Sequence, residues 1–353
     1  MQGSREPIFS LRLRVAAVGL LAALIAAVLA SSGSAAPQAG LQQAILAQEQ
    51  HSAALLARGG IVGTGVNQDA TGEAEVVVLA THPVQVAETL SGIDVEVKVT
   101  GPISSLKMAA RKRPGTGGGK TSELTPTSRF PRPVPIGVST GNAGECSAGT
   151  IGARVSDSSG NVYALSNNHV YARENKAALG SQVLQPGLYD TGCVFSAANV
   201  FGSLSAFAPI VFSTSASNTL DAAIAATTAG QLGTATPSNG YGEPSSLTQA
   251  ATPGLAVQKY GRTTSLTGGT VVAINGIVNV GYSSGTARFV DQVFVEGQKP
   301  FLRSGDSGSL LVTANTGANP VGLLFAGNSS GKFAIANKID LVLDRFGVKV
   351  DGK

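Results

Sequence analysis

Arg303-Ser304-Gly305-Asp306-Ser307-Gly308-Ser309, running directly into the apolar Leu310-Leu311-Val312, decides how this 353-residue chain is read. A serine hydroxyl becomes a useful nucleophile only with help. It needs a base to take its proton and backbone N–H groups aimed at the charge that forms on attack. A tight turn anchored by a strand supplies the second condition. Gly305 permits backbone geometry that other residues resist. Gly308 leaves room where a side chain would crowd a substrate, and a strand over 310–313 fixes the loop.

Histidine is the side chain whose ordinary pKa suits the base. The chain has three. His51 falls on an expected N-terminal helix and His82 precedes Pro83 in a loop. That leaves His169, at the end of Ala164-Leu165-Ser166-Asn167-Asn168-His169, just after a strand expected over 162–166. The base needs an orienting carboxylate. Asp221, in Thr219-Leu220-Asp221-Ala222-Ala223-Ile224-Ala225, is an acid at the mouth of an apolar strand. Asp157, in a Ser-Gly turn, and Asp190, in a Gly-rich loop, are poorer candidates. Ser307, His169 and Asp221 are therefore the candidate triad.

Around these residues helix signals nearly vanish. From Val134 to the end, short apolar runs alternate with Gly, Ser, Thr and Asn turns, as in an all-β sandwich or barrel. The whole chain is 43% hydrophobic and only 13% charged, with 45 glycines and no tryptophan. That suits a turn-rich β protein with a sizeable core and excludes a disordered chain. The net charge of +4 is mild, and no basic stripe with interleaved aromatics supports nucleic-acid binding. Three scattered histidines, two cysteines without CxxC spacing and no acidic cluster imply no metal site and no cofactor. Cys146 and Cys193 are enough for one disulfide in an exported protein; the alternative is two buried thiols.

Upstream, Arg5, Arg12 and Arg14 precede an apolar run from Val15 to Ala30 and the small residues Ser31 to Ala36. Residues 1–36 thus read as a secretory signal, or as an uncleaved anchor, and the rest of the chain as secreted or held in the cell envelope. Membrane contact is expected only through this segment, if it is uncleaved. Residues 37–103 read as a small α/β domain of order αββαβ: a helix over 41–58, a hairpin of 61–66 and 74–81, a second helix over 84–90, and the alternating strand Ile93-Asp94-Val95-Glu96-Val97-Lys98-Val99. Residues 104–133, with Gly117 to Gly119, four prolines and seven basic residues, read as an exposed basic linker open to proteolysis. Residues 134–353 form the β domain.

The order His, Asp, Ser over a β-rich stretch resembles the chymotrypsin/trypsin superfamily of serine peptidases, in its bacterial form with an extra N-terminal domain. Leu165 to Val170 is similar to that family's histidine motif, Leu220 to Ala225 to its Asp-Ile-Ala-Leu strand, and Gly305 to Ser309 to Gly-Asp-Ser-Gly-Gly with Ser309 in the last place. Gly261 to Gly268 resembles a segment that opens the second barrel, Val321 to Gly327 the strand that pairs with substrate, and Cys146 the cysteine before the histidine strand. The resemblance implies a double β-barrel over about residues 134–350, a serine endopeptidase acting on protein or peptide, and oxyanion-hole N–H groups from Gly305 and Ser307. It also implies a buried Asp306 that needs a cation, for which Arg262 is the candidate. Phe301, six residues before Ser307, stands where trypsins place an acid and argues against Lys/Arg preference. The N-terminal domain is then a pro-segment released at the linker, or a permanent binding module.

Rival classes make different demands. A silent binding protein that keeps the fold is countered by the complete triad. An adhesion protein predicts tandem repeats, which are missing. An α/β-hydrolase needs the order Ser, acid, His and a G-x-S-x-G elbow, and Ser309 stands where the second glycine belongs.

Overall fold

The computed structural model describes residues 35–69, 71–106, 108–109 and 124–353. The leader and the glycine run of the linker lie outside the described residues. Among the described residues no helix is long and apolar enough to cross a membrane.

The N-terminal unit opens with helix α1 (Ala35–Leu56) and strands β1 (Ile61–Gln68) and β2 (Ala74–Ala80). Asp69 shapes the turn between the strands, its carboxylate accepting from the Thr71 N–H, the Thr71 hydroxyl and the Glu73 N–H at 2.8, 2.6 and 2.9 Å. The helix expected over 84–90 is not formed. That stretch is irregular and ends in the two-residue strand β3 (Thr89–Leu90), which pairs with β4 (Ile93–Val99). Val84, Val86 and Leu90 gain their burial from the same small core as the helix face, Ala47, Leu55 and Leu56. Tertiary packing here overrides helix propensity. The alternation in β4 serves a parallel pairing with β2, Val76 opposite Val95 and Val78 opposite Val97.

The first residues assigned to a linker are also ordered as strand. Residues β5 (Ile103–Ser105) and β6 (Met108–Ala109) pair with the β domain on either side of Leu106. Residues 124–133 run along the first barrel, where Arg129 and Arg132 donate to the carbonyls of Ala198, Asn199 and Val200. Composition marks this region as exposed because it ignores that an extended segment can take its backbone hydrogen bonds from another part of the chain.

The first barrel contains β7 (Ser139–Asn142), β8 (Ser147–Thr150), β9 (Ala153–Asp157), β10 (Val162–Ser166), the single helical turn α2 (Asn168–Tyr171), β11 (Gln182–Leu184), β12 (Val200–Phe207) and β13 (Ala223–Thr227). Its core includes Ile136, Ile151, Ala164, Val183 and Leu204. The disulfide between Cys146 and Cys193, with Cα atoms 5.2 Å apart, ties two loops at one end.

The second barrel holds β14 (Ala256–Gly261), β15 (Ser265–Tyr282), β16 (Gly285–Glu296), β17 (Leu310–Thr313), β18 (Pro320–Asn328) and β19 (Phe333–Lys338). The order β14-β17-β18-β19-β16-β15 closes on itself through a β14–β15 pairing. Strand β1 pairs with β15, Gly63 opposite Val278, so the N-terminal unit continues the sheet of this barrel rather than standing apart. Helix α3 (Ile339–Phe346) packs Ile339, Val342 and Leu343 into a core shared by both barrels, with Leu165 from one and Leu310 and Leu323 from the other. Strand β20 (Val348–Val350) returns to the first barrel on β9.

Candidate active site

Both barrels send one loop each into the cleft between them. Strand β10 ends at Ser166, and the two asparagines that follow fasten the turn carrying His169. Asn167 donates to the Asp221 carbonyl at 2.7 Å, and Asn168 donates to the Ala208 carbonyl at 2.6 Å. Asn175 closes the far side, receiving from Asn168 at 2.7 Å and from the Ile210 N–H at 3.0 Å. The Asn-Asn before the histidine is thus a clamp on its backbone.

His169 and Asp221 are fully buried. His169 Nδ1 and Asp221 Oδ2 are 2.5 Å apart, and the His169 N–H donates to Asp221 Oδ1 at 3.1 Å. The other ring nitrogen, Nε2, is buried in the cleft without a hydrogen-bond partner. Tyr282, at the tip of the β15–β16 hairpin, donates its hydroxyl to Asp221 Oδ2 at 2.8 Å, and its ring meets that of His169 edge-on with centroids 5.9 Å apart. Burial pushes the Tyr282 phenol well up, and the nearby Asp221 charge adds to this. The hairpin tip is held by Glu174, whose carboxylate accepts from the Ser283 hydroxyl at 2.7 Å and the Ser284 N–H at 2.9 Å. The only prior sign of Tyr282 is its place at the end of the alternating Val278-Asn279-Val280-Gly281-Tyr282, before a Ser-Ser-Gly turn.

The serine loop belongs to the second barrel. Ser307 is buried, and its hydroxyl donates to the Phe325 carbonyl at 3.3 Å rather than to His169. Gly305 (φ 100°) and Gly308 (φ 91°) both need the left-handed region. A Cβ on Gly308 would stand 2.4 Å from the Thr150 carbonyl and 2.3 Å from Ser166 Oγ. This glycine therefore lets the loop press against the first barrel; relief of crowding at the substrate is not its role. Thr150 makes the joint, its N–H donating to the Ser307 carbonyl at 2.7 Å and its hydroxyl to the Gly305 carbonyl at 2.8 Å. Ser309, in the place of a glycine, turns its hydroxyl back to the Asp306 carbonyl at 2.6 Å.

Asp306 is buried, as expected, but Arg262 is not its cation. Asp306 accepts from the N–H groups of Thr263 and Arg303, each at 2.8 Å, and from the Thr264 hydroxyl at 2.8 Å. Its counter-charge is Lys259 on β14, also fully buried, with Nζ 3.7 Å from Oδ2. Burial pushes the Lys259 ammonium down, against the pull of Asp306. Arg262 instead grips Asp190 with two nitrogens, Nε donating to Oδ2 at 3.0 Å and Nη2 to Oδ1. The planar guanidinium fits a free carboxylate bidentately, whereas the crowded ring of donors around Asp306 leaves room for a single ammonium. Lys259 is legible in retrospect as a lone charge inside the apolar strand around Val257 and Tyr260.

The cleft is filled by the chain's own residues 103–106. Strand β5 lies antiparallel to β18, with Ser105 opposite Ala326, Ser104 opposite Gly327 and Ile103 opposite Asn328. The Leu106 N–H donates to the Phe325 carbonyl at 3.3 Å, and the Gly305 N–H donates to the Leu106 carbonyl at 2.6 Å. The Leu106 side chain is buried in one apolar cluster with Phe301, Leu302 and Leu324.

The two-barrel fold is chymotrypsin-like. Solved structures similar to the chain include a glutamic-acid-specific serine protease (23% identity, covering 62% of this chain and 100% of that one, TM-score 0.45). Others are protease A of Thermobifida fusca (18% identity, 62% and 100%, TM-score 0.45) and the Rv3671c protease of M. tuberculosis (16% identity, 66% and 96%, TM-score 0.34). No protein-family model matches the chain, and no curated protein matches it. What the site can do chemically rests on its own geometry.

Proposed function

We propose that the chain is an exported serine endopeptidase in which Ser307 is the nucleophile, His169 its base and Asp221 the carboxylate that orients the imidazole. One observation carries this reading. The N–H of Gly305 on the serine turn meets the carbonyl of an extended peptide, in a cleft where a carboxylate-paired histidine leaves its second nitrogen free. That is the arrangement acyl transfer requires: a donor where negative charge develops, and a base beside the nucleophile. Attack requires the Ser307 side chain to leave the Phe325 carbonyl for another staggered well in which its hydroxyl can meet His169 Nε2. Attack then passes the serine proton to Nε2, and the Gly305 N–H stabilises the oxyanion, joined by the Ser307 N–H as the sequence motif implies.

The strand edge of β18 supports peptide rather than simple ester substrates, because it offers backbone partners to several successive residues. The three-part leader and the Cys146–Cys193 disulfide support an oxidising compartment outside the cytoplasm.

The second reading, a silent binding protein, draws on the Ser307 hydroxyl donating to the Phe325 carbonyl rather than to His169. A fluorophosphonate probe separates the two. The wild type is expected to be labelled at Ser307, Ser307→Ala to stay unlabelled, and kcat on peptides to fall about 10⁶-fold in the variant. Equal turnover by both proteins overturns the assignment.

A further inference from the structure

The extended segment in the cleft is held along two edges. Strand β5 lies antiparallel to β18 on one side and parallel to β15 on the other, with Ser104 opposite Gly281. It closes the gap in the sheet between β18, beside the serine turn, and the tip of the β15–β16 hairpin. Strand β1 covers β15 up to Val278, and beyond that point Ser104 is the partner of this edge among the described residues. The register sets Ile103 level with Val280 and Ser105 level with Tyr282.

Ile103 is 4% exposed, in one apolar cluster with Ile210, Val280, Phe289 and Phe325, while Ser104 faces solvent. Phe212 and Tyr282 pack against the same cluster. A file of rings leads from it to the triad. Phe325 and Phe289 have centroids 4.7 Å apart, Phe289 and Tyr282 6.1 Å, and Tyr282 and His169 5.9 Å. The strand reaches no further back. Strand β18 ends at Asn328, opposite Ile103, and the chain ahead of Ile103 turns at Gly101 (φ 77°).

We infer that a peptide substrate adds as a strand between β18 and β15, that it carries a large apolar residue where Ile103 stands, three places ahead of the residue whose carbonyl meets Gly305, and that this residue raises kcat by seating Tyr282 on Asp221. The inference rests on the serine-peptidase reading above. Tyr282 acts as a positioning residue, since its hydroxyl touches Asp221 and not the peptide. Its hairpin tip is fastened on one side by Glu174. On the other side a substrate strand supplies the backbone partner for Gly281 and an apolar side chain against Val280 and Phe289. Binding energy from a remote side chain that is used to order the reacting groups appears in kcat and not only in KM. Alanine at that place leaves a void, and a charge there is stripped of water without a partner.

The test needs the cleft open. Ile103→Asp together with Leu106→Asp, in the full chain, puts charges where apolar side chains are buried, so the segment leaves the cleft. The substrates are Xaa-Ser-Ser-Leu-p-nitroanilides with isoleucine, alanine or aspartate in first place, and the tripeptide Ser-Ser-Leu-p-nitroanilide. Isoleucine should exceed alanine about 30-fold or more in kcat/KM, mostly in kcat, and aspartate should fall to the level of the tripeptide. With Tyr282→Phe added, the kcat advantage of isoleucine should shrink to within about threefold while the KM difference persists. A readout without turnover comes from adding Ser307→Ala to the open variant, which should bind Ile-Ser-Ser-Leu about tenfold more tightly than Ala-Ser-Ser-Leu. An open variant that takes the fluorophosphonate probe yet cuts all the peptides alike, or none, has a competent serine and overturns the strand subsite. An isoleucine advantage confined to KM, or kept whole in Tyr282→Phe, overturns the link to the triad. No labelling overturns the peptidase reading, and equal binding of the two tetrapeptides by the Ser307→Ala protein overturns the subsite independently of it.

Discussion

Asp221 and Asp306 are both sealed from solvent, yet they are held by different kinds of donor. Asp221 takes an imidazole, a phenol and one backbone N–H, all from a cleft wall built by two barrels. Asp306 takes backbone N–H groups from two loops of a single barrel, a threonine hydroxyl and the ammonium of a buried lysine. Side-chain donors that gain and lose protons suit a carboxylate that must answer a change of charge on its partner. Fixed amides suit one whose charge only folds a turn. Burial alone does not distinguish the two roles; the donors do.

The sharpest way to break this contrast is to neutralise each carboxylate system in turn. Asp221→Asn keeps the shape but replaces an acceptor with an amide beside His169 Nδ1, favouring the wrong tautomer. We expect kcat to fall about 10⁴-fold with little change in melting temperature. Lys259→Met should do the reverse. It leaves the Asp306 charge without its cation, and an unpaired buried charge costs about 3–5 kcal/mol of stability. At about 2–4 °C per kcal/mol for a domain of this size, thermal unfolding should drop by roughly 10 °C. Adding Asp306→Asn to Lys259→Met should recover part of that loss, because no bare charge then remains. Arg262→Ala, which releases Asp190 instead, should destabilise less and leave the serine turn's labelling rate near wild type. If Arg262→Ala is the more damaging of the two, the assignment of the cation is wrong.

The contrast also explains what the sequence could disclose. Strands β10 and β17 were readable to the residue, because short apolar runs between turn signals carry their own period. The triad was readable because one histidine lies in the β domain and one acid opens an apolar strand. Partner choice was not. Arg262 lies closer to Asp306 along the motif than Lys259 does, but which cation reaches the carboxylate depends on which side of β14 faces inward. The long β15–β16 hairpin was not legible as one element, since three register shifts between Val271 and Val278 break the alternation. Residues 103–106 were hidden most deeply. Nothing local distinguishes a strand that pairs with a distant cleft from the head of a basic, proline-punctuated linker.

Tyr282 joins the two halves of the comparison, since it stands on the second barrel and donates to the carboxylate of the first. Its removal is the smallest perturbation of the set. A hydrogen bond to a charged group is worth about 1.5–3 kcal/mol, so Tyr282→Phe should lower kcat about 10–100-fold. KM should hold, because the hydroxyl contacts Asp221 and not the strand edge that binds peptide. A purely structural role predicts instead a lower melting temperature with kcat within twofold. The same residue leaves a mark in alkali. Its folded phenol is raised above the ordinary value near 10, so above that pH the unfolded chain releases a proton that the folded chain keeps. Stability from this group is therefore complete below about pH 10 and declines as pH climbs toward the folded value, by about 1.4 kcal/mol per pH unit. Tyr282→Phe should flatten the alkaline limb by that slope while leaving the contribution of the other buried phenols, Tyr171 and Tyr241, in place. An alkaline limb identical in both proteins would mean that Tyr282 does not keep its proton against Asp221, and with that the bridge between the barrels at the triad fails.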